Sequence, residues 1–359
     1  MNNNFKLMKG NEALAEAAMR AGMKAYFGYP ITPQSEILEY LSKHGEKNNV
    51  IVLQAESEIA SINMIYGASG AGARVMTSSS SPGISLMQEG ISYLASAELP
   101  CLIVNVERGG PGLGTIQPAQ GDYFQATKGG GHGDYHIIVL APSSVQEMVD
   151  FVFDGFRLSE KYRMPTMILS DGALGQMMEK VLLPEFNSLP HTTPSWSTTG
   201  KPNSRERNII TSLFIEPERM EIINLALQKK YKMLEAESKI ELIETVDAEI
   251  ILIAFGLSSR ICQKTMELAR EKGIKVGLAR PITLYPFPKN EIYRLSENSE
   301  TKFLVVEMNA GQMVEDVRLN VKDQKSVDFY GRMGGMIPTP EEILEKVEFI
   351  HQQKFEGVA

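Results

Sequence analysis

Residues 54–87 read QAESEIASINMIYGASGAGARVMTSSSSPGISLM, and this stretch determines the fold class. The spacing of its apolar residues predicts a helix over 57–70, a short strand over 74–77 and a second helix over 84–97. Four serines and a Pro-Gly pair connect the strand to the second helix. Strands that alternate with helices in this way are typical of a parallel α/β sheet.

The same alternation continues on both sides of this stretch. Further strands are predicted over 24–29, 50–54, 101–106, 136–140 and 166–169, with helices over 11–23, 35–46 and 144–162. The strand at 101–106 is almost continuously apolar, which suits a sheet covered on both faces. Residues 1–183 are therefore predicted to form an α/β domain with a doubly wound, mostly parallel sheet.

The chain changes character after this domain. Residues 184–247 begin with a segment rich in Pro, Ser and Thr, which predicts an extended linker, and continue with a charged helix that opens at Pro217. The helix carries one apolar stripe with a spacing of three or four residues. Residues 248–359 repeat the strand–helix alternation and predict a second α/β domain.

Composition excludes several functional classes. The 359 residues carry a formal charge of −8, so the chain lacks the basic surface of a general nucleic-acid binder. No apolar run of 18 residues is present, and we expect no membrane span. Cys101 and Cys262 are too few for a disulfide framework, a four-thiolate zinc site or an iron–sulfur cluster. A reducing cytoplasm is the expected location.

Unusual residues follow four consecutive predicted strands. These junctions contain Pro30 and Thr32, then Glu58, then the serines at 78–81, and finally Arg108 before a glycine-rich loop. In open α/β sheets, ligands bind beyond the carboxyl ends of the strands. We therefore expect the four junctions to meet at one edge of one sheet and to form a binding site there.

Each candidate also has a purely structural interpretation. Thr32 lies between two prolines and could shape a turn, and Glu58 could complement the dipole of the helix that it begins. Arg108 could pair with a neighbouring acid, or bind a carboxylate of a ligand through its two-pronged guanidinium group. The serines could cap a helix or bind an anion at its N-terminus. The residues alone leave these alternatives open.

Three segments carry a resemblance to a known family: GYPITPQSEI at 28–37, the stretch at 54–87, and VNVERGGPG at 104–112. In their order and spacing they resemble the alpha subunits of the 2-oxoacid:ferredoxin oxidoreductases, which are thiamine diphosphate enzymes. The resemblance implies that 1–183 is the domain that binds the pyrimidine of thiamine diphosphate. It also implies that 248–359 is a transketolase-C-like domain.

The resemblance assigns roles to the candidates. Glu58 would contact N1′ of the cofactor's aminopyrimidine, with Pro30 as a further cofactor contact, while Thr32 and Arg108 would bind the 2-oxo acid. The segment at 121–148 resembles the branch that oxidises 3-methyl-2-oxobutanoate, with CoA as co-substrate, and the 2-oxoglutarate branch is the alternative. A non-redox thiamine enzyme and a non-catalytic binding module are the alternatives from other classes.

One part of a complete thiamine site is missing from the sequence. Thiamine enzymes hold Mg²⁺ and the diphosphate with a Gly-Asp-Gly segment, and no such segment occurs here. We therefore expect no metal site in this chain. The resemblance implies a beta subunit that brings Mg²⁺, the diphosphate site and an iron–sulfur cluster. It also implies gamma and ferredoxin-like subunits and ferredoxin as the electron acceptor.

Overall fold

The computed structural model describes residues 5–186, 189–201 and 204–356. The strands are β1 Phe5–Lys9, β2 Ala25–Gly28, β3 Ile51–Gln54, β4 Val75–Ser79, β5 Cys101–Glu107, β6 Ile138–Leu140, β7 Pro165–Asp171, β8 Met178–Leu182, β9 Ile240–Ile243, β10 Ile250–Ile253, β11 Val276–Pro281, β12 Thr283–Tyr285, β13 Lys302–Glu307 and β14 Val327–Gly331. The helices are α1 Gly10–Arg20, α2 Ser35–His44, α3 Glu58–Gly70, α4 Ser81–Ser96, α5 Tyr123–Lys128, α6 Val145–Tyr162, α7 Gly172–Gln176, α8 Pro217–Met233, α9 Gly256–Glu271, α10 Lys289–Leu295, α11 Met313–Asn320 and α12 Pro340–Glu356.

Six strands of the N-terminal half and β12 of the C-terminal half form a seven-stranded sheet with the order β12-β6-β7-β5-β4-β2-β3, which we call the first sheet. All of its pairings are parallel except that of β12 with β6. Leu102 and Val104 of β5 pack into one apolar cluster, whereas Cys101 and Ile103 pack into another. Helices therefore cover both faces, and the predicted doubly wound, mostly parallel α/β fold is confirmed.

The C-terminal half forms a five-stranded sheet with the order β14-β13-β10-β11-β9, which we call the second sheet. Its central strands β10, β11 and β13 are parallel, as the sequence predicts, while β9 is an antiparallel edge strand that the sequence did not reveal. The chain leaves this sheet after β11, and Thr283 of β12 pairs with Leu140 at the edge of the first sheet. The C-terminal half thus contributes one strand to the first sheet.

Gln120 joins the two halves by hydrogen bonds. Its side-chain Nε2 donates to the carbonyl oxygen of Phe255 at 2.8 Å, and its Oε1 accepts from Ser258 Oγ at 2.7 Å. Its backbone carbonyl accepts from Asn309 Nδ2 at 2.6 Å, and its backbone N–H donates to Met308 O at 3.1 Å. Because a buried polar group is costly when unpaired, these bonds fix the two halves in one arrangement.

The predicted linker packs along the first sheet's domain. Its residues 187–188 and 202–203 lie outside the described residues. Buried Arg74 pairs with Glu160 at 2.7 Å and donates to the backbone oxygens of Leu189 at 2.8 Å and Pro190 at 3.1 Å. Buried Arg74 therefore anchors the linker to the first domain. Helix α8 follows the linker, as the sequence predicts.

One prediction for the glycine-rich segment was wrong. The glycine-rich loop predicted after Arg108 is not irregular throughout, because Tyr123–Lys128 forms the short helix α5. Tyr123 is fully buried, and its hydroxyl donates to Asp316 at 2.6 Å. This tertiary contact stabilises a turn that the local glycines did not predict. Within the described ranges, no helix combines the length and apolarity that a bilayer span needs.

Candidate functional site

The four predicted junctions meet at one edge of the first sheet. The strands β5, β4, β2 and β3 are neighbours and run parallel, so their carboxyl ends lie side by side. We call this the carboxyl edge. The expected convergence of the four junctions is therefore confirmed, and the candidates can be examined as one site.

Glu58 begins helix α3 and is 6% exposed. Ser57 caps this helix by accepting a hydrogen bond from Ala60 N at 3.2 Å, which leaves the Glu58 carboxylate free of any capping role. A Cβ atom added at Gly83 would lie 2.5 Å from Glu58 Oε1 and 2.0 Å from Ser79 Oγ. A side chain at position 83 would therefore displace the Ser79 hydroxyl or the Glu58 carboxylate.

Unsatisfied hydroxyl groups occur where β4 meets α4, and that of Ser79 lies beside the Glu58 carboxylate. The side-chain oxygens of Thr77, Ser79 and Ser80 are buried without a hydrogen-bond partner. Ser80 is the N-cap residue of α4, yet its side chain makes no capping bond, so the capping interpretation of the serines is wrong for it. Buried polar groups without partners are rare in native proteins. At this edge they provide hydroxyl groups that can bond a polar ligand.

Arg108 and Thr32 are brought together at the same edge. Arg108 Nη1 donates to the backbone oxygen of Thr32 at 2.9 Å, and Nη2 donates to that of Leu113 at 3.0 Å. Its Nε is buried without a partner. Among the described residues Arg108 forms no ion pair, because neighbouring Glu107 points into the interior and accepts from Asp122 N at 2.8 Å. A guanidinium group with an unused donor can bind an anion.

The remaining candidate lies at the rim. Pro30 is exposed, in the loop that also carries exposed Thr32 between β2 and α2. The structure thus places Pro30, Thr32, Glu58 and Arg108 on one edge, with only Glu58 buried. No cluster of three or more metal-ligating side chains occurs in the parts of the chain that the structure describes.

Ser81 is a residue that the sequence did not single out individually. Its hydroxyl accepts from Arg108 N at 3.1 Å and lies 3.3 Å from Arg108 O, to which it can donate. It also hydrogen-bonds the carboxyl group of Asp122, which accepts from Asn105 Nδ2 at 2.8 Å. This network fixes the backbone of Arg108. Its signal in the sequence was the serine run, whose members proved to have different tasks.

Four carboxyl groups lie behind the carboxyl edge, three of them buried and that of Asp122 half-buried. Burial raises the pKa of Glu107 well above its usual value, and the nearby carboxyl group of Asp122 raises it further. Burial also raises the pKa values of Asp122 and of Glu307, against hydrogen bonds that favour their charged forms. The fourth is Asp171, whose pKa burial raises to about 6. Ionisation of these carboxyl groups therefore lowers the stability of the folded protein.

The Asp171→Asn variant should show this penalty as a pH dependence. Between the unfolded pKa of 3.8 and the folded value of about 6, the folded chain binds more protons, so wild-type stability falls as the pH rises through that window. Asn cannot ionise, so the variant avoids this loss of stability. Its side-chain oxygen can still accept hydrogen bonds from the N–H groups of Ala173 and Leu174 and so cap α7. We expect the variant's gain in unfolding free energy to grow by roughly 1 to 2 kcal/mol from pH 5 to pH 8.

Urea unfolding at the two pH values measures this gain. The matched control is Asp323→Asn, because Asp323 also accepts a backbone hydrogen bond, from Lys325 N at 2.9 Å, but is exposed. A gain for Asp171→Asn that is equal at both pH values would contradict the prediction.

Comparison with known proteins identifies similar chains. Residues 16–249 match the family described as pyruvate flavodoxin/ferredoxin oxidoreductase, thiamine diphosphate-binding. Residues 248–343 match core domain II of pyruvate:ferredoxin oxidoreductase. The first match covers most strands of the first sheet, and the second match covers most strands of the second sheet.

Three individual proteins extend this similarity. The chain is 49% identical over 343 residues to the ketoisovalerate oxidoreductase subunit VorB of Methanothermobacter thermautotrophicus, which covers 95% of this chain and 97% of that one. It is 36% identical to the 2-oxoglutarate synthase subunit KorA of Methanocaldococcus jannaschii over 94% of this chain and 98% of that one. A 2-oxoglutarate:ferredoxin oxidoreductase from Magnetococcus marinus, solved with 2-oxoglutarate, coenzyme A and succinyl-CoA bound, is 30% identical with a TM-score of 0.86. That likeness covers 96% of this chain and 65% of the other.

Proposed function

This chain belongs to the pyruvate flavodoxin/ferredoxin oxidoreductase family, as a subunit of a 2-oxoacid:ferredoxin oxidoreductase, and from this membership we propose that it binds the 2-oxo acid and the pyrimidine half of thiamine diphosphate. The proposed reaction is the oxidative decarboxylation of 3-methyl-2-oxobutanoate to its acyl-CoA and CO₂, with electrons passed to ferredoxin. The 49% identity to a ketoisovalerate oxidoreductase subunit, against 36% to a 2-oxoglutarate synthase subunit, favours the branched-chain acid.

The observation that carries this proposal is the buried Glu58 carboxylate beside the unsatisfied hydroxyl group of Ser79. An aminopyrimidine presents both hydrogen-bond donors and acceptors, and the carboxylate of Glu58 with the hydroxyl of Ser79 offers complementary partners to such a ring. Thiamine diphosphate, when bound, supplies the carbanion chemistry that decarboxylation of a 2-oxo acid needs. Glu58 would hold a proton at N1′ of the pyrimidine, and Pro30 would contact the cofactor at the rim.

Arg108 and Thr32 would bind and orient the substrate. The guanidinium group of Arg108 would bind the carboxylate of the 2-oxo acid, and the hydroxyl of Thr32 would hydrogen-bond the reacting carbonyl group. The bond from Arg108 to the Thr32 backbone fixes the distance between these two contacts. Orientation of this kind contributes much of the rate of an enzyme.

We propose that the other components lie on partner subunits. The sequence has no Gly-Asp-Gly segment, so Mg²⁺ and the diphosphate would be held by a beta subunit. Cys101 and Cys262 are buried, and burial raises the pKa of both thiols, so neither suits an iron–sulfur cluster. The clusters would therefore lie on the beta and ferredoxin-like subunits, with a gamma subunit completing the complex.

The domain organisation supports this division of tasks. We infer a pyrimidine-binding domain over 1–183, a linker with a charged helix over 184–247, and a transketolase-C-like domain over 248–359. The proposed site residues all lie in the first of these. The last domain adds β12 to the first sheet and faces the carboxyl edge through Gln120.

Viologen reduction by the complete complex tests the proposal. The complex, purified with its partner subunits, is mixed with CoA and a panel of 2-oxo acids, and kcat/KM is measured for each acid. We expect the highest value with 3-methyl-2-oxobutanoate. Preference for 2-oxoglutarate would overturn the branch but keep the site, whereas no reduction by a thiamine-loaded complex would favour a non-redox enzyme.

A further inference from the structure

A cavity of about 410 Å³ opens at the carboxyl edge, between the Arg108 loop and the second sheet's domain. Its walls include Ser81, Pro82 and Arg108 from the first half, and Met308 and Met333 from the second. The cavity adjoins the proposed carboxylate-binding arginine, and the hydrogen bonds of Gln120 hold together the two halves that form it.

The charges in this cavity are few. All of its lining residues are described, and among them Arg108 is the one cationic side chain and Asp122 the one acid. Most of the remaining wall is apolar or small, and it includes Pro82, buried Met308 and residues 110–112 of the glycine-rich loop. Such a wall favours an uncharged aliphatic group, because each buried methylene group contributes to binding.

A second carboxylate would be poorly accommodated here. Once Arg108 binds the first carboxylate of 2-oxoglutarate, no other cation of this wall is left for the distal one. Asp122 would in addition repel it, since its carboxyl group is fixed at the wall by Asn105 and Ser81. Burying an unpaired charge beside a like charge is unfavourable.

We propose that this cavity receives the side chain of the 2-oxo acid, and that Met308, Met333 and Asp122 select an uncharged aliphatic side chain over one that ends in a carboxylate. The inference rests on the proposed function and adds to it the residues that determine specificity. It assigns to the C-terminal half a part in substrate choice.

Met333 offers the sharpest test, because it lies at the rim with 59% of its surface exposed, so a charged residue can replace it without burial. In the Met333→Lys complex, the ratio of kcat/KM for 2-oxoglutarate to that for 3-methyl-2-oxobutanoate should rise about tenfold, as expected for a new bond to a charged group. The opposite charge in Met333→Glu should lower the ratio.

A matched control and a binding measurement complete the experiment. Met336→Lys adds the same charge three residues away, at a side chain that is 54% exposed and outside the cavity wall, and should leave the ratio unchanged. Calorimetric titration of thiamine-free complex with the two acids should show the same shift in relative affinity. If the wild-type complex is active but the ratio stays within twofold in both Met333 variants, the inference is wrong. If none of the 2-oxo acids supports viologen reduction by the thiamine-loaded wild-type complex, the proposed function itself fails.

Discussion

Replacing Glu58 with glutamine should lower turnover by about 1,000-fold while the complex stays assembled. Proton transfer by a positioned carboxyl group contributes about 100- to 10,000-fold to the rates of enzymes, and an amide cannot carry the proton. Glutamine has nearly the same shape, so it still fits beside Gly83, where an added Cβ atom would lie 2.5 Å from Glu58 Oε1. The chemistry is lost, and the packing is kept.

The change should affect stability only slightly. Glu58 is the first residue of α3, where its charge interacts with the helix dipole for about 0.3 to 1 kcal/mol. The cap from Ser57 to Ala60 N remains in the variant. A loss of this size cannot explain a thousandfold loss of turnover, so the two effects are separable.

Viologen reduction and size-exclusion chromatography of the complex measure the two quantities. Glu56→Gln is the matched control, since Glu56 is an exposed glutamate two residues earlier with the same charge. This control should keep wild-type turnover. Near-normal turnover in Glu58→Gln would refute the role of Glu58 at the pyrimidine.

Strands β5 and β7, which are buried on both faces, are among those that the sequence predicted correctly. Every residue of β5 and β7 is buried, and such strands read as continuous apolar runs. The missed strands β1 and β8 are short and largely exposed, and they pair Phe5 with Leu182 across most of the first domain. Their pairing depends on chain ends meeting in space, which local patterns do not record.

The candidate site divides in the same way. Strand order and strand ends sufficed to place Thr32, Glu58 and Arg108 on one edge, because parallel strands end together. The cavity wall at Met308 and Met333 could not be predicted, since it forms only when the second half docks. When a site forms between two domains, the sequence reveals only the site residues of the domain that carries the recognisable motif.

Replacing Arg108 with alanine should raise the KM for the 2-oxo acid by about 10- to 100-fold, with a smaller effect on kcat. A hydrogen bond to a charged group contributes about 1.5 to 3 kcal/mol, and the guanidinium group of Arg108 keeps N–H donors that its two backbone bonds do not use. The interaction exists with the bound substrate as well as in the transition state, so its loss appears mainly in KM.

Arg108 also joins two loops, and this structural role needs its own control. Its bonds to the backbone oxygens of Thr32 and Leu113, at 2.9 and 3.0 Å, would be lost in the alanine variant. Arg108→Lys keeps the positive charge but cannot form two parallel bonds to a carboxylate, so its KM should lie between those of wild type and Arg108→Ala. Arg260→Ala removes an arginine that likewise bonds a backbone oxygen, that of Ser143 at 3.0 Å, away from the proposed contacts.

The split between KM and kcat decides between the two roles. If Arg108 only supports the loops, loss of its side chain should disorder the position of Thr32, and kcat should fall for every 2-oxo acid while KM changes little. If Arg108 binds the carboxylate that all 2-oxo acids share, KM should rise by a similar factor for each acid in the panel. Unchanged KM values in Arg108→Ala would therefore assign the residue to the fold, and the substrate carboxylate would need another cation, on the partner subunit.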